Sequence, residues 1–424
     1  MRVSVLLFFL LIPVLSINAA EILPEPLTLE FALAQADAPH PDILIAQNTY
    51  ALAQARKQIL QADWNIETSI NAQGRWLQPA PGYSAMGNQD HQLSINVRKP
   101  VYDFGGYKNR IQAMSSQVSA YEWSLLDVSQ QRRLVIMRAY FDVLLADLRY
   151  ARSNEDMATA FVRFDRASDR QELGQASDIE MLQRESEYFA VRRQRYEDEY
   201  KRREARALLA LKMNRPGELS SHLSFPENLQ RNQKLPNLEL LQHQAMAGNA
   251  HIQSLAAKVE ALSSKVNAAR SGRYPDIHVA ASAAWYQRDT ASHDPLVAEL
   301  GIRIPLDFVG KTSARITSAR AEVRIAQAEL EQARREVKQQ LLSLWLEYEN
   351  MRFKQDEADK VEEYRELYLD RARALYEMEV NADLGDAMVS LSEAALIVAE
   401  TDFRQQIIFE TVQALIGKSM ERRQ

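Results

Sequence analysis

The chain has 424 residues, with 51 basic against 57 acidic side chains, a formal charge of −6 and no cysteine. Those numbers exclude disulfides, thiolate metal sites and a lipid-modified N-terminal cysteine, and they leave no global basic footprint for nucleic acid. Only 13 glycines and 14 prolines interrupt it, so long helices have room to run.

Residues 1–20 read as a secretory signal. Arg2 is the basic start, Val3–Leu15 the apolar core, and Ser16–Ala20 supplies small residues before a cut after Ala20. A membrane anchor is the other reading, but a spanning helix needs about 20 apolar residues and this run is shorter. Without the signal the chain carries 50 basic and 57 acidic side chains, or −7.

A first repeat is expected over residues 21–213. It opens with a helix from Leu27 to about Asp63, interrupted near Pro39-His40-Pro41, because proline lacks a donor and clashes with the preceding turn. The period then changes. Ile66, Thr68, Ile70, Ala72, Gly74 and Trp76 alternate with Glu67, Ser69, Asn71, Gln73 and Arg75, which predicts a strand with one apolar and one polar face. A Pro- and Gly-containing loop, Leu77–His91, leads to a second strand in which Leu93, Ile95, Val97 and Val101 share a face, with Lys99 as a charged exception. The pair spans residues 66–101, and a long helical hairpin follows over 107–213. Ile111, Met114, Val118, Tyr121, Leu125 and Val128 step by three and four along its first helix. The seam breaks at Gly174-Gln175-Ala176-Ser177-Asp178, and the charged run Arg192–Arg206 on the return helix reads as a solvated face.

Residues 214–237, with Pro216, Gly217, Pro226 and Pro236, read as a linker. The programme then repeats over 238–417, leaving 418–424 as a tail. A helix is expected from Leu238 to about Gly272, then a strand pair over 277–306, then a hairpin over 311–416 that breaks near Val380-Asn381-Ala382-Asp383. Ile316, Val323, Leu330, Val337, Leu344 and Met351 lie seven apart on its first helix, with Ala319, Ala326 and Ala333 between them. Pro100, Gly105, Arg110 and Ile111 align without a gap on Pro305, Gly310, Arg315 and Ile316, an internal repeat of about 205 residues. Each quartet is an elbow where a strand runs straight into a long helix.

Four strands of about ten residues suit a tilted bilayer crossing but do not close a barrel. Open edges in lipid leave backbone groups unsatisfied, so chains would share one barrel: two give eight strands, three give twelve and a lumen. Trp76, Trp285 and Tyr286 stand at strand ends, where interfacial aromatics belong.

With these elbows and tips the chain resembles the TolC-like outer-membrane efflux channels over Leu27–Gly417. The tip pattern of that family, a Gly, then a small or hydroxyl residue, then an acid, is met by Gly174, Ser177 and Glu180; in the second half Asp386 matches, while Val380 and Asp383 depart from it. The resemblance implies a mainly α fold with a small membrane β part: duplicated coiled-coil hairpins and four strands per chain, trimerising into a 12-stranded β-barrel continued by a 12-helix α-barrel. It implies an outer-membrane location reaching into the periplasm, a periplasmic adaptor docked at the tips, an inner-membrane pump, no cofactor and no catalysis. Asp386, Asp383 and Glu180 are candidates for acidic rings at the periplasmic aperture, and Gly174, Gln175 and Ser177 for the adaptor-facing tip. Drugs, metal ions, peptides and secreted proteins all fit such a duct.

Other classes fare worse. The seven histidines form no HxxxH or HxH pair, the 12 methionines do not cluster, and Gly105-Gly106 lacks the Lys-Ser/Thr of a phosphate loop. A periplasmic coiled-coil adaptor or scaffold without pore activity is the competing reading, but it would show one hairpin where this chain shows two.

Overall fold

The computed structural model describes residues 23–418 except 77, 79–87, 219–220, 227–228, 230, 232, 289–292 and 379–382. The expected signal at 1–20, most of the first strand loop, Val380 and the tail beyond 418 lie outside the described residues.

Two 67-residue helices, α3 (Gly106–Glu172) and α7 (Lys311–Glu377), run the length of the molecule, each about 100 Å at about 1.5 Å per residue. Neither contains a proline, and the one glycine, Gly106, opens α3, so nothing inside them forfeits a backbone hydrogen bond. Each is followed by an antiparallel return helix: α4 (Asp178–Lys212) against α3, and α8 (Leu384–Leu415) against α7. Each is preceded by a helix and a strand pair. The first repeat has α1 (Leu29–Ala34), a short 3-10 turn, α2 (Pro41–Ala62), β1 (Glu67–Trp76) and β2 (Gln89–Tyr102). The second has α5 (Leu238–Gly248), α6 (Ala250–Ser271), β3 (Asp276–Tyr286) and β4 (Leu296–Arg303).

The single helix expected over 238–272 is in fact broken between α5 and α6. Asn249 takes an extended conformation there, its side chain accepts a hydrogen bond from Ile252 N at 3.0 Å, and it caps α6. The break falls where Pro39-His40-Pro41 breaks the first repeat, so both entry helices are kinked for different local reasons.

The strands form one open antiparallel sheet, β1-β2-β3-β4, with β1 and β4 as free edges. Its register sorts side chains by face. Ile70, Ile95, Ala283 and Leu296 stand opposite one another across the four strands, and so do Thr68, Val97, Ala281 and Ala298. The other face carries Ser69, Asn96 and Ser282, and beside them Asn71, Ser94 and Ala284. Burial is inverted relative to a water-soluble sheet: Ser94 is 7% exposed while its neighbours Leu93 and Ile95 are 47% and 46% exposed. On β2 and β3 the apolar face is thus the barer and the polar face the more sheltered, while β1 and β4 are exposed almost throughout. Within the sheet Gly301 stands opposite His278, and a Cβ at 301 would run into the imidazole. Among the described residues no helix is long and apolar enough to cross a membrane.

The main cores lie midway along the helices, one per repeat. The first joins Ile136, Tyr140, Phe141 and Leu144 of α3 to Leu27, α1 and the end of α4; the second joins Leu330, Val337, Leu341 and Tyr348 of α7 to α5, α6 and the end of α8. Phe141 stacks on Phe403 of α8 with ring centroids 4.4 Å apart, which ties the repeats together. The linker is strapped to these cores by aromatics: Tyr140 Oη donates to the Leu27 and Ser224 carbonyls, Trp345 Nε1 donates to Pro236 O at 3.1 Å, and Tyr348 Oη donates to Gln233 O.

Along the upper part of α3 the fully buried positions are Ala113, Ser116 and Ala120, while the expected seam residues Ile111, Met114 and Val118 are only half-buried. Small side chains let α3 approach its neighbours closely, and this displaces the contact line from the larger ones. The charged run on α4 is more than a solvated face: Arg206 forks onto both Asp147 oxygens at 2.7 and 2.8 Å, and Arg202 lies 4.0 Å over the Tyr150 ring.

Between α3 and α6, Asp127 accepts from Gln131 Nε2 at 3.0 Å and lies 3.9 Å from His251. Burial pushes its carboxyl above the ordinary 3.8, outweighing the pull of His251 and Gln131. A carboxyl whose folded value is raised adds stability below about pH 3.8 that is lost as pH rises through the folded value, so ionised Asp127 opposes folding at neutral pH. Asp127→Asn is expected to raise the melting temperature at pH 7 by about 2 °C and to have no effect at pH 3. Melts at both values check this, and an equal shift at each would show that charge is not the cause.

Candidate functional site

The elbows are built alike. Gly105 and Gly310 each precede their long helix with φ of 85° and 75°, a left-handed conformation that glycine adopts without strain. An aspartate in each elbow satisfies the exposed helix start. Asp103 Oδ2 accepts from Tyr107 N at 2.5 Å and from Arg110 at 3.0 Å, and Asp307 Oδ2 accepts from Thr312 N at 2.9 Å. Pro100 sits at a bulge in the β2–β3 ladder, and Pro305 follows the end of β4, so each lies where the ladder stops needing its N–H. The capping aspartates were visible in both elbow sequences but were not singled out there. Aromatic rings gather at the first elbow: Tyr102, Phe104 and Tyr274 pack in series at 4.8 and 5.6 Å.

At the opposite end the first tip is tightly made. Gly174 (φ 71°) follows the C-cap of α3, and N–H groups of Gly174 and Gln175 bond back to Gln171 O and Arg170 O at 2.9 and 2.7 Å. Ser177 caps α4 by accepting from Glu180 N at 3.2 Å. Glu180 accepts from Arg170 at 3.1 Å, and Asp178 from Gln171 at 2.8 Å. Leu173 and Ile179 are left 71% and 80% exposed beside the turn, an apolar pair at the extremity of the molecule.

The second tip differs. Asp383 precedes α8 but makes no capping bond with its side chain. Instead Arg163 of α3 reaches across to it at 3.8 Å and hydrogen-bonds Asp386. The Asp386 carboxylate holds the Arg163 guanidinium above its ordinary value. Gly385 lies against Thr159, and a Cβ there would come within 2.6 Å of the Thr159 hydroxyl. The contact line continues as Ser392 on Glu155 at 2.5 Å, Arg152 on Glu393 at 3.8 Å and Arg149 on Glu400 at 2.5 Å. The structure thus brings Asp383 and Asp386 together and places Glu180 at the other tip. Arg163 was not foreseen, because more than 200 residues separate it from its partners.

Residues 241–418 match the family model described as Outer membrane efflux protein. The whole fold is shared with solved structures. The CmeC outer membrane channel of Campylobacter jejuni is 13% identical, with 93% of this chain and 87% of that chain covered and a TM-score of 0.76. VceC of Vibrio cholerae is 16% identical, with coverage of 93% and 97% and a TM-score of 0.72. The MtrE outer membrane channel of Neisseria gonorrhoeae in its open state is 16% identical, with coverage of 92% and 89% and a TM-score of 0.72. No curated protein matches the chain. The fold is that of the outer-membrane channels, an exposed sheet continued by helical hairpins. Over its second repeat the chain matches the outer membrane efflux protein family, and along its whole length it shares the fold of the outer-membrane channels.

Proposed function

We propose that three copies of this chain assemble into one passive duct through the outer membrane and across the periplasm, coupled to a periplasmic adaptor and an inner-membrane pump. The observation that carries this is the inverted sheet. Its apolar face is bare, its polar face is sheltered on the inner strands β2 and β3, and both edge strands present unpaired backbone groups. Lipid on the outside satisfies the first feature and a watery lumen the second, while joining β4 of one copy to β1 of the next removes the edges. Three copies give twelve strands, wide enough for a lumen. A cleaved signal at 1–20 delivers the chain to the periplasm, and each repeat, 21–213 and 238–417, contributes one strand pair and one hairpin, with 214–237 as the link.

On this reading the chain performs no chemistry, and the pump supplies the energy. Gly174, Gln175 and Ser177 form the adaptor-facing tip, where Leu173 and Ile179 give an apolar patch to cover. Asp386 and Asp383 stand at the aperture in three copies, with Glu180 on the neighbouring tip.

The test is to extract the full chain from separated membranes in mild detergent and weigh it by light scattering. A trimer confined to the outer-membrane fraction is the expected result. A soluble monomer or dimer in the periplasm would overturn it and leave a coiled-coil scaffold.

A further inference from the structure

A groove runs between α6 and α7 just below the sheet. Its two adjoining parts, both open to solvent, offer about 340 Å³ and 390 Å³. Arg270 and Arg320 line both parts, Arg324 one end and Arg273 the other, with Ser313 and Thr317 supplying hydroxyls. Elsewhere in the chain Arg149, Arg163, Arg184, Arg193, Arg206, Arg231 and Arg404 have carboxylate partners, as do Arg334 and Arg373 further down α7. The four in the groove have none among the described residues; Arg270 donates only to Asn267 at 3.2 Å and Arg273 to Ser313 Oγ at 3.1 Å.

The helix dipole accounts for part of this, since a cation in the last turn of α6 is favourable, as Arg270 is. It has no bearing on Arg320 and Arg324, which stand beyond the first turn of α7, where the dipole no longer acts. Four like charges gathered around one cavity call for an anion. Height along the molecule indicates which one. Tyr274 lines the same groove and stacks on Phe104 of the elbow, and Phe308 and Val309 of the other elbow are 86% and 95% exposed. Aromatic and apolar groups of this kind settle at the headgroup layer of a bilayer.

We infer that the arginine groove between α6 and α7 binds the phosphate of a phospholipid headgroup in the periplasm-facing leaflet of the outer membrane. Arg270, Arg273 and Arg320 hold the phosphate oxygens, Ser313 and Thr317 donate hydroxyls, and Tyr274 faces the glycerol and acyl region. Fixing a lipid there would anchor the junction between sheet and helices at one height in the bilayer. The lipid source rests on the membrane placement proposed above; the fractionation already described tests that placement separately.

The experiment is native mass spectrometry of the full-length assembly, delipidated in detergent and then titrated with phosphatidylglycerol. The wild type, the double variant Arg270→Gln/Arg320→Gln and a charge-matched control, Lys354→Gln/Lys360→Gln lower on α7, are compared. Lipid adducts are expected on wild type and control, and binding about tenfold weaker or worse in the double variant, since each arginine lost removes a charge-assisted bond. Inorganic phosphate at equal concentration is expected not to displace the lipid. Equal adducts on all three proteins would overturn the site. Displacement by inorganic phosphate would overturn the headgroup assignment and make it a site for soluble anions. If Arg270→Gln/Arg320→Gln does not assemble, Arg273→Gln alone is expected to weaken binding measurably, and wild-type affinity in that variant counts against the proposal.

Discussion

Arg163→Ala is expected to raise the open probability of reconstituted channels about fivefold while leaving the melting temperature nearly unchanged. A ladder of polar contacts joins α3 to α8. From the core toward the tip it runs through Arg149–Glu400, Arg152–Glu393, Glu155–Ser392 and the close contact of Thr159 with Gly385, and it ends at Arg163 with Asp386 and Asp383. The outermost rung holds the start of α8, which has no capping bond of its own from Asp383. The Arg163 and Asp386 side chains are 38% and 47% exposed, so water and salt screen the pair, and its worth is about 1 kcal/mol. That is too little to unfold helices packed along their whole length. It is enough to shift a two-state tip about fivefold toward its open form. The variant also frees the Asp386 carboxylate, so the same recordings are expected to show greater cation selectivity, as acidic rings produce in channels. Arg163→Lys keeps the charge and is expected to lie between the two. Planar-bilayer recordings decide it: conductance and selectivity indistinguishable from wild type would remove Arg163 from control of the tip and Asp386 from the lumen.

What could be read from the amino-acid order was what repeats or alternates. The elbows declare themselves because a proline, a glycine and an arginine recur at one spacing, and the 67-residue helices because two long stretches lack helix breakers. The two faces of the sheet follow from period-two alternation, and the register then aligns Ile70, Ile95, Ala283 and Leu296 across all four strands. What stayed hidden depends on distant partners. Asn249 sits in an Ala-rich helical context, and only its side chain's bond to Ile252 N and its donation to Leu415 O mark it as a break. Arg163 and its aspartates lie on different helices. Asp402, buried on α8, accepts from Gln355 at 3.0 Å and from Arg231 of the linker at 2.9 Å, a triad drawn from three separate stretches of chain. The arginine groove was hidden for the same reason, because Arg270 and Arg320 come together only when α6 lies along α7.

The largest loss of stability is expected at Gly417, where α8 ends. Gly417 has a φ of 74°, and the N–H groups of Gly417 and Lys418 bond back to Ala414 O and Gln413 O at 3.0 Å each, which closes the end of α8. A side chain there meets two penalties. The left-handed backbone costs an ordinary residue about 1–2 kcal/mol. In addition, the new Cβ would run into the carbonyl of Gly248, which is backbone and has no flexible end to move aside. From the other side, a Cβ on Gly248 would run into the Ile416 carbonyl, so two glycines face each other at one backbone contact. That contact seats Ile416 and Val412 in the second core and lets Asn249 Nδ2 donate to Leu415 O at 3.1 Å. Gly417→Ala is therefore expected to cost about 3 kcal/mol or more and to expose the end of α8 to protease. Gly248→Ala, which has no unfavourable φ to bear, is expected to cost less. Because both variants break the same contact, the double variant is expected to cost little more than Gly417→Ala alone. Denaturant unfolding of the four proteins, with proteolysis of the last helix as a second readout, measures this. Losses that simply add would mean that the two glycines act at separate places, and that α8 is held at its end by something other than their close approach.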